Sequence, residues 1–323
     1  MGPTADAFPA AHAAGLPMLG GEDLYVTSAG WRVRGHFWKS DGDGLPVIVC
    51  PGFGEFCEKY SRAATHLHAG GHSVLIIDWP GQGRSGTLAT SDMGMHIDSF
   101  DQHLDAAEAL MNAAGPGLGR VAVLGHSMGG HLALRLTARL SARSSGRVAG
   151  TVILSPMMMP RPRPVWLVRL LASLLIMVGR SRHHAPSSRP HRFQDDRLRF
   201  DGNRLTRCRE GFDAQFAWLD DAPELWRSGA SVGWVAAAYR SCAETTLNPA
   251  FLRSLRQPVL ALTGSDETIV RRQAFAETFR WIPDCIHHDY DGARHELLYE
   301  TEDVRTDLMR RIDAFLSRVA GSG

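Results

Sequence analysis

Hydrophobic and polar positions run along this chain in short blocks whose period changes in a regular order. Leu24–Thr27 and Trp31–Trp38 alternate apolar with polar and are separated by Ser-Ala-Gly, which predicts an opening antiparallel hairpin. Pro46–Cys50 (PVIVC), His72–Asp78 (HSVLIID), Arg120–Leu124 (RVAVL), Val148–Leu154 (VAGTVIL) and Pro258–Thr263 (PVLALT) are brief continuous apolar runs, the pattern of strands buried on both faces. A further short strand is predicted near Cys285–Tyr290. Between these runs lie stretches of helical period: Lys59–Ala69, Asp98–Ala114, Met128–Leu140 with Leu132, Leu136 and Leu140 at i, i+4 and i+8, Arg272–Phe279 and Glu302–Val319. Strands alternating with helices predict βαβ units and an α/β fold with a mostly parallel central sheet flanked by helices.

The alternation stops at Ser155-Pro156, and no buried strand is predicted again before Pro249. This stretch holds an apolar run, Val165–Val178, then an arginine-rich segment from Arg180 to Arg209, then Trp218, Trp226 and Trp234. It reads as a helical cap inserted into the α/β core. The expected organisation is a loose leader over 1–22, a core over 23–156 and 249–323, and a helical cap over 157–248. The leader has no basic start and no long apolar stretch, so it does not read as a secretory signal. The apolar run is interrupted by Arg169 and is shorter than the roughly 20 residues a membrane span needs. It is expected to be a buried or interfacial helix, folded over the core or, with Arg161, Arg163, Arg180 and Arg182 around it, touching an anionic membrane.

Composition narrows the partners. Of 323 residues, 44% are hydrophobic and 21% charged, which argues against disorder and against a multi-span membrane protein. Lys+Arg minus Asp+Glu is 35 − 34 = +1, so no global charge points to nucleic acid. The cysteine count of 5 is odd and without a CxxC spacing, so reduced thiols in a cytoplasmic protein are expected, not a disulfide framework or a zinc ribbon. Cys57 reads as a packed thiol. His66 and His68 are two apart and do not share a helix face, so with His72 they read as surface histidines and not as a metal site. Gly81-Gln82-Gly83-Arg84-Ser85-Gly86 follows a strand in the GxGxxG spacing, but Thr87–Gly94 offers no helix, so a structural turn is expected and not a dinucleotide site. Neither a metal nor an organic cofactor is expected.

Two GxSxG matches carry the candidate chemistry. Ser127, in Gly125-His126-Ser127-Met128-Gly129, has a predicted strand before it and a periodic helix after it, the setting of a nucleophile elbow. Ser231, in Gly229-Ala230-Ser231-Val232-Gly233, follows no strand and reads as a helix-cap turn. A serine hydroxyl needs a base, and the base needs an orienting carboxylate. With such an elbow the chain order is Ser, acid, His, which points to His295 in the loop after the last strand. The tandem His287-His288 falls in the strand before it. The acid is expected just after Pro258–Thr263, where Asp266 and Glu267 compete, and the residues by themselves leave this choice open. Backbone N–H groups for a developing oxyanion are expected from Met128, after the nucleophile, and from Phe53 in the loop Pro51-Gly52-Phe53-Gly54.

Taken together, Gly52-Phe53-Gly54-Glu55 with Tyr60, Asp78-Trp79-Pro80-Gly81-Gln82-Gly83-Arg84-Ser85-Gly86, Gly125-His126-Ser127-Met128-Gly129-Gly130, and Gly292-Ala293-Arg294-His295-Glu296 with Glu300 resemble the α/β-hydrolase superfamily. More narrowly they are similar to its lysophospholipase L2 and monoacylglycerol lipase branch, with a serine aminopeptidase S33-type hydrolase domain. The motifs lie between about 24 and 318 and in the family's order. The resemblance implies an α/β-hydrolase fold and a serine ester hydrolase, with a lipid ester of one chain as substrate. By the family's spacing the triad acid falls on Glu267, where the family mostly has Asp. A second departure is Pro51, where the family usually has His before the first oxyanion-loop glycine. The expected activity is that of a lysophospholipase working through an acyl-enzyme on Ser127. Monoacylglycerol lipase, short-chain carboxylesterase and transacylase are the enzymatic alternatives, and a catalytically silent binding module the non-enzymatic one. The arginines between Ser181 and Glu210 could meet a headgroup phosphate, but Asp195, Asp196, Asp201 and Glu210 dilute them, and a solvated face is the expectation.

Overall fold

The computed structural model describes residues 19–90, 94–115, 118–159, 165–186, 188 and 191–321. The leader up to residue 18, together with Arg161 and Arg163, lies outside the described residues. The chain is already engaged before the expected core boundary, because the Gly20 carbonyl lies 2.6 Å from His36 Nε2.

Eight strands form one sheet: β1 (Glu22–Ser28), β2 (Trp31–Trp38), β3 (Gly44–Cys50), β4 (His72–Ile77), β5 (Val121–His126), β6 (Val148–Leu154), β7 (Val259–Gly264) and β8 (Cys285–Tyr290). Their order is β1-β2-β4-β3-β5-β6-β7-β8. The opening hairpin and its junction to β4 are antiparallel, and every pairing from β4 to β8 is parallel. The period-2 geometry of a strand sends alternate residues to opposite faces. Val47 and Val49 therefore join Val74, Ile76, Ala122 and Leu124 in one apolar layer, while Ile48 and Cys50 join Leu75, Ile77, Val121 and Val123 in the other.

Helix α1 (Ser61–Ala69) and the long C-terminal helix cover the first layer; α2 (Asp101–Ala113) and α3 (Met128–Arg143) cover the second. The segment from 157 to 248 carries α4 (Val165–Met177), α5 (Phe193–Arg197), α6 (Arg209–Asp221) and α7 (Val232–Glu244). Among the described residues three further α-helices follow: α8 (Pro249–Ser254), α9 (Gln273–Phe279) and α10 (Glu302–Ala320).

Topology places the site. The chain leaves β3 for β4 on one side, then crosses back to β5 on the other side of β3. The loops after β3 and β5 thus diverge at a switch point, where an open α/β sheet forms a crevice at its C-terminal edge. Register holds Cys50 opposite Gly125, and His126 opposite Leu154, so the loops that follow start level with one another.

Helix α4 departs from the buried alternative. Ala172 is its one buried residue, and Trp166 and Met177 are 69% and 75% exposed. It packs mainly on α7 and leaves most of its apolar surface uncovered. An apolar run of this kind buries only where a neighbour is shaped to cover it, and α4 has one helical neighbour in place of a layer.

Candidate active site

Ser127 sits between β5 and α3 with φ +54° and ψ −119°, a left-handed conformation that costs a non-glycine residue on the order of 1–3 kcal/mol. Its surroundings hold it there. The Ser127 amide donates to the Leu154 carbonyl at 2.9 Å, and the Met157 amide donates to the Ser127 carbonyl at 2.8 Å. The flanking glycines permit the turn: a Cβ on Gly125 would overlap the Gly129 carbonyl, and one on Gly129 would overlap the Cys50 carbonyl.

Two sequence-predicted partners meet on neighbouring loops. His295 Nδ1 lies 2.5 Å from Glu267 Oε2, and both residues are buried. The other Glu267 oxygen accepts the amides of Ile269 at 2.5 Å and Val270 at 3.2 Å. Burial alone would raise the Glu267 pKa; the His295 charge, their hydrogen bond and the two amides hold it below the usual carboxylate value. Asp266 turns outward and pairs with Arg294 at 3.2 Å, over half exposed. His287 bonds Thr263 within β7–β8 and does not join His295. The His295 ring lies 4.8 Å from the ring of His126, the residue before Ser127.

The two amides expected as oxyanion donors differ from their neighbours in their hydrogen bonding. Met128 opens α3, so its amide is among those without an intrahelical acceptor, at the positive end of the helix dipole. In the loop after β3, the amides of Gly52, Gly54, Glu55 and Cys57 all donate inside the protein. The Phe53 amide has no acceptor among the described residues. Pro51 is accommodated, because its carbonyl accepts from Trp79 Nε1 at 2.8 Å. The GxGxxG turn braces the same loop: Gln82 Nε2 donates to the Gly52 and Glu55 carbonyls at 2.9 and 3.1 Å.

Beneath these groups lies a buried charge cluster with no role in the sequence reading. Lys59 Nζ bridges Glu55 Oε1 at 2.6 Å and Glu296 Oε1 at 2.7 Å. Glu55 also accepts from Tyr60 at 2.5 Å and faces His126 Nδ1 at 3.1 Å, while His126 Nε2 lies 3.2 Å from the His295 carbonyl. Burial opposes the charged form of His126, but Glu55 and Glu296 outweigh it and raise its pKa to about 9. Burial likewise opposes ionised Glu55, yet Lys59 and His126 hold it well below the carboxylate range. Two carboxylates thus face two cations, and each charge of the cluster is paired. Glu55, His126 and Glu296 present ligand-type atoms within 4.8 Å of one another, but the Lys59 ammonium already supplies the cation between the carboxylates. The cluster ties together the loop after β3, the Ser127 elbow and the His295 loop. Its one sequence signal was the presence of Glu55, Tyr60 and Glu296 in the quoted motifs.

The second GxSxG serves a different purpose. Ser231 caps α7, accepting from the Trp234 amide at 3.0 Å in an unstrained extended conformation, and lies 2.8 Å from His96 Nδ1 with no exposure to solvent. The histidines at 66, 68 and 72 are apart: His66 pairs with Asp313, His68 stacks on Trp38 and His72 meets the Leu45 carbonyl. Cys57 is fully buried.

A cavity of about 400 Å³ opens beside the Phe53–Gly54 loop. Its walls mix Phe56, Phe216 and Trp226 with Gln215, His191 and Arg227.

Comparison with known proteins gives the family and the fold. Residues 45–302 match the family described as Serine aminopeptidase, S33. The chain is 26% identical over 290 residues to Lysophospholipase L2 of Escherichia coli strain K12, covering 84% of this chain and 80% of that protein. It is 24% identical over 286 residues to Phospholipase YtpA of Bacillus subtilis, covering 86% and 97%. A soluble variant of the monoglyceride lipase of Saccharomyces cerevisiae superposes with a TM-score of 0.71 at 18% identity, covering 93% of this chain and 97% of the yeast one. That likeness establishes the α/β-hydrolase fold.

Proposed function

The chain belongs to the serine aminopeptidase S33 family of α/β hydrolases, and on that premise we propose that it is a serine hydrolase of carboxylic esters whose substrate is a lipid with a single acyl chain. The observation that carries the reading is the hydrogen-bonded His295–Glu267 pair beside the strained Ser127 elbow.

In this reading His295 Nε2 takes the Ser127 proton as Oγ attacks the acyl carbon. Glu267 fixes the Nδ1–H tautomer and stabilises the imidazolium. The carbonyl oxygen becomes an oxyanion between the Phe53 and Met128 amides, each donor contributing roughly 3–4 kcal/mol to the transition state. Collapse expels the alcohol, which leaves with the proton from His295. Water, activated by the same histidine, then releases the fatty acid.

The leaving group is assigned as a glycerophospho headgroup, making the enzyme a lysophospholipase. The relatives named as lysophospholipase and phospholipase support this, and the mixed cavity beside Phe53 gives the headgroup room. Monoacylglycerol is the second reading, supported by the yeast structure.

Residues 157–248 act as a cap, and α4 rests on the membrane surface. No helix among the described residues is long and apolar enough to cross a membrane. Trp166, Leu170, Leu171, Leu174 and Met177 offer the apolar face, and Arg169, Arg180 and Arg182 the charge for anionic headgroups.

The test is fatty-acid release from a lysophospholipid and from a monoacylglycerol, with Ser127→Ala as control. Serine-dependent release from the lysophospholipid is the expected result. Release from monoacylglycerol alone keeps the chemistry and removes the headgroup assignment. Ser127-independent release removes Ser127 as the nucleophile, and no release together with no fluorophosphonate labelling removes the hydrolase reading.

A further inference from the structure

On the far side of the Lys59 cluster, a groove of about 510 Å³ runs between α1 and α10. It is within the size range of pockets that take small organic ligands. Its floor is apolar, built from Ala63, Leu298, Leu308 and Met309. Lys59 and Tyr299 line it too, so the side chain that bridges Glu55 and Glu296 also contributes to its inner wall.

The rim is basic. Arg62, Arg305 and Arg310 line the groove against a single carboxylate, Asp313, which is engaged by His66 at 2.8 Å. Arg310 pairs with Asp307 on its own helix. Two guanidinium groups keep donors to spare. Arg305 reaches only the Glu300 carbonyl, at 3.0 Å, and has no carboxylate partner among the described residues. Arg62 gives Nη2 to Glu210 at 2.9 Å, while its Nη1 is buried with no acceptor. Arg305 lacks a carboxylate partner among the described residues, and a planar two-oxygen anion is the group that pairs such a guanidinium with charge assistance.

We propose that this groove is a binding site for a long-chain carboxylate, separate from the Ser127 site, with the anion held by Arg305 beside Arg62 and the chain laid on Leu298 and Met309. The choice of a carboxylate over other anionic amphiphiles rests on the ester-hydrolase reading, which produces one at every turnover. The groove's shape and charge do not depend on that reading.

The experiment uses a hexadecanoic acid bearing a diazirine on its chain, photolysed with the full-length protein and with Ser127→Ala, followed by peptide mapping. Labels in 59–66 and 298–313 are expected in both proteins. The double variant Arg62→Glu/Arg305→Glu is expected to lose those labels at least tenfold, with active-site labels as the internal standard. Met309→Trp, which fills the floor and keeps the charges, should lose them as well. Excess palmitate should displace the probe and methyl palmitate should not. Labels only in other segments, labels unchanged in both variants, or equal displacement by the methyl ester would each overturn the proposal. Because labelling does not require turnover, a protein that labels in the groove but hydrolyses no ester would lose the ester reading and keep the site.

Discussion

Glu267 holds His295 with one carboxylate oxygen and is itself held by the chain with the other. Oε2 lies 2.5 Å from His295 Nδ1, while Oε1 takes the amides of Ile269 and Val270. The carboxylate cannot swing without losing backbone bonds, so it fixes the imidazole in both position and tautomer. Its neighbour Asp266 is bonded to Arg294 instead and cannot take its place without rebuilding the loop.

Replacing Glu267 with Gln should lower kcat by about 10³–10⁴-fold, the scale seen when a triad acid loses its charge. Asp266→Asn should stay within about threefold, since exposed pairs such as its bond to Arg294 are worth little. Steady-state kinetics on a soluble ester distinguishes the two, and equal losses would reject the assignment. Because the Glu267 pKa is lowered on folding, its stabilising contribution is present above the unfolded carboxylate pKa and is lost as pH falls through the folded value.

The two GxSxG serines should separate cleanly. Ser127→Ala is expected to abolish turnover while the melting temperature holds. Ser231→Ala is expected to cost about 1 kcal/mol of stability, the typical worth of a helix N-cap, with kcat retained within about twofold. Thermal denaturation and activity measured on the same preparations decide it.

Removing the ammonium from the buried cluster should be severe. Lys59→Met leaves Glu55 and Glu296 facing each other, and breaking a buried pair in this way costs roughly 3–5 kcal/mol. The triple variant Lys59→Met/Glu55→Gln/Glu296→Gln should recover most of that stability. Chemical denaturation of both variants gives the comparison, and a stable single variant would show that the cluster does not hold the loops.

The His126 charge predicts an alkaline limit. Its folded pKa is raised to about 9, so its stabilising contribution is complete below the ordinary value of 6.5 and is lost as pH rises through about 9. The melting temperature should fall across that window, and His126→Gln should flatten the fall. A wild-type curve that is level from pH 7 to 10 contradicts the assignment.

For α4, Leu170→Glu together with Leu174→Glu should weaken binding to vesicles containing anionic lipid by at least tenfold, since both side chains are about half exposed. Hydrolysis of a short, monomeric ester should be unchanged. Co-sedimentation with vesicles is the readout, and unaffected binding would remove α4 from the membrane.

Much of this was legible in the chain. The core strands lie within two residues of their expected ends, because a short apolar run bounded by Gly, Pro or Asp has few other ways to bury itself. The elbow at Ser127 was readable from its strand and helix, and the late histidine from chain order. The choice between Asp266 and Glu267 was not readable from the residues alone. Adjacent side chains leave the backbone in different directions, and only the loop's path decides which one faces His295. Lys59 and Glu296 are 237 positions apart, and no periodicity links them.

What the sequence alone determined about this protein was the order of its elements, the parallel sheet and the position of a serine on a sharp turn, since each follows from interactions within a few residues. The tertiary structure decided which carboxylate meets His295, the pairing of the buried charges and the exposure of α4. Those depend on which distant segments come together, and the energy of a charge or an apolar face is set by what covers it.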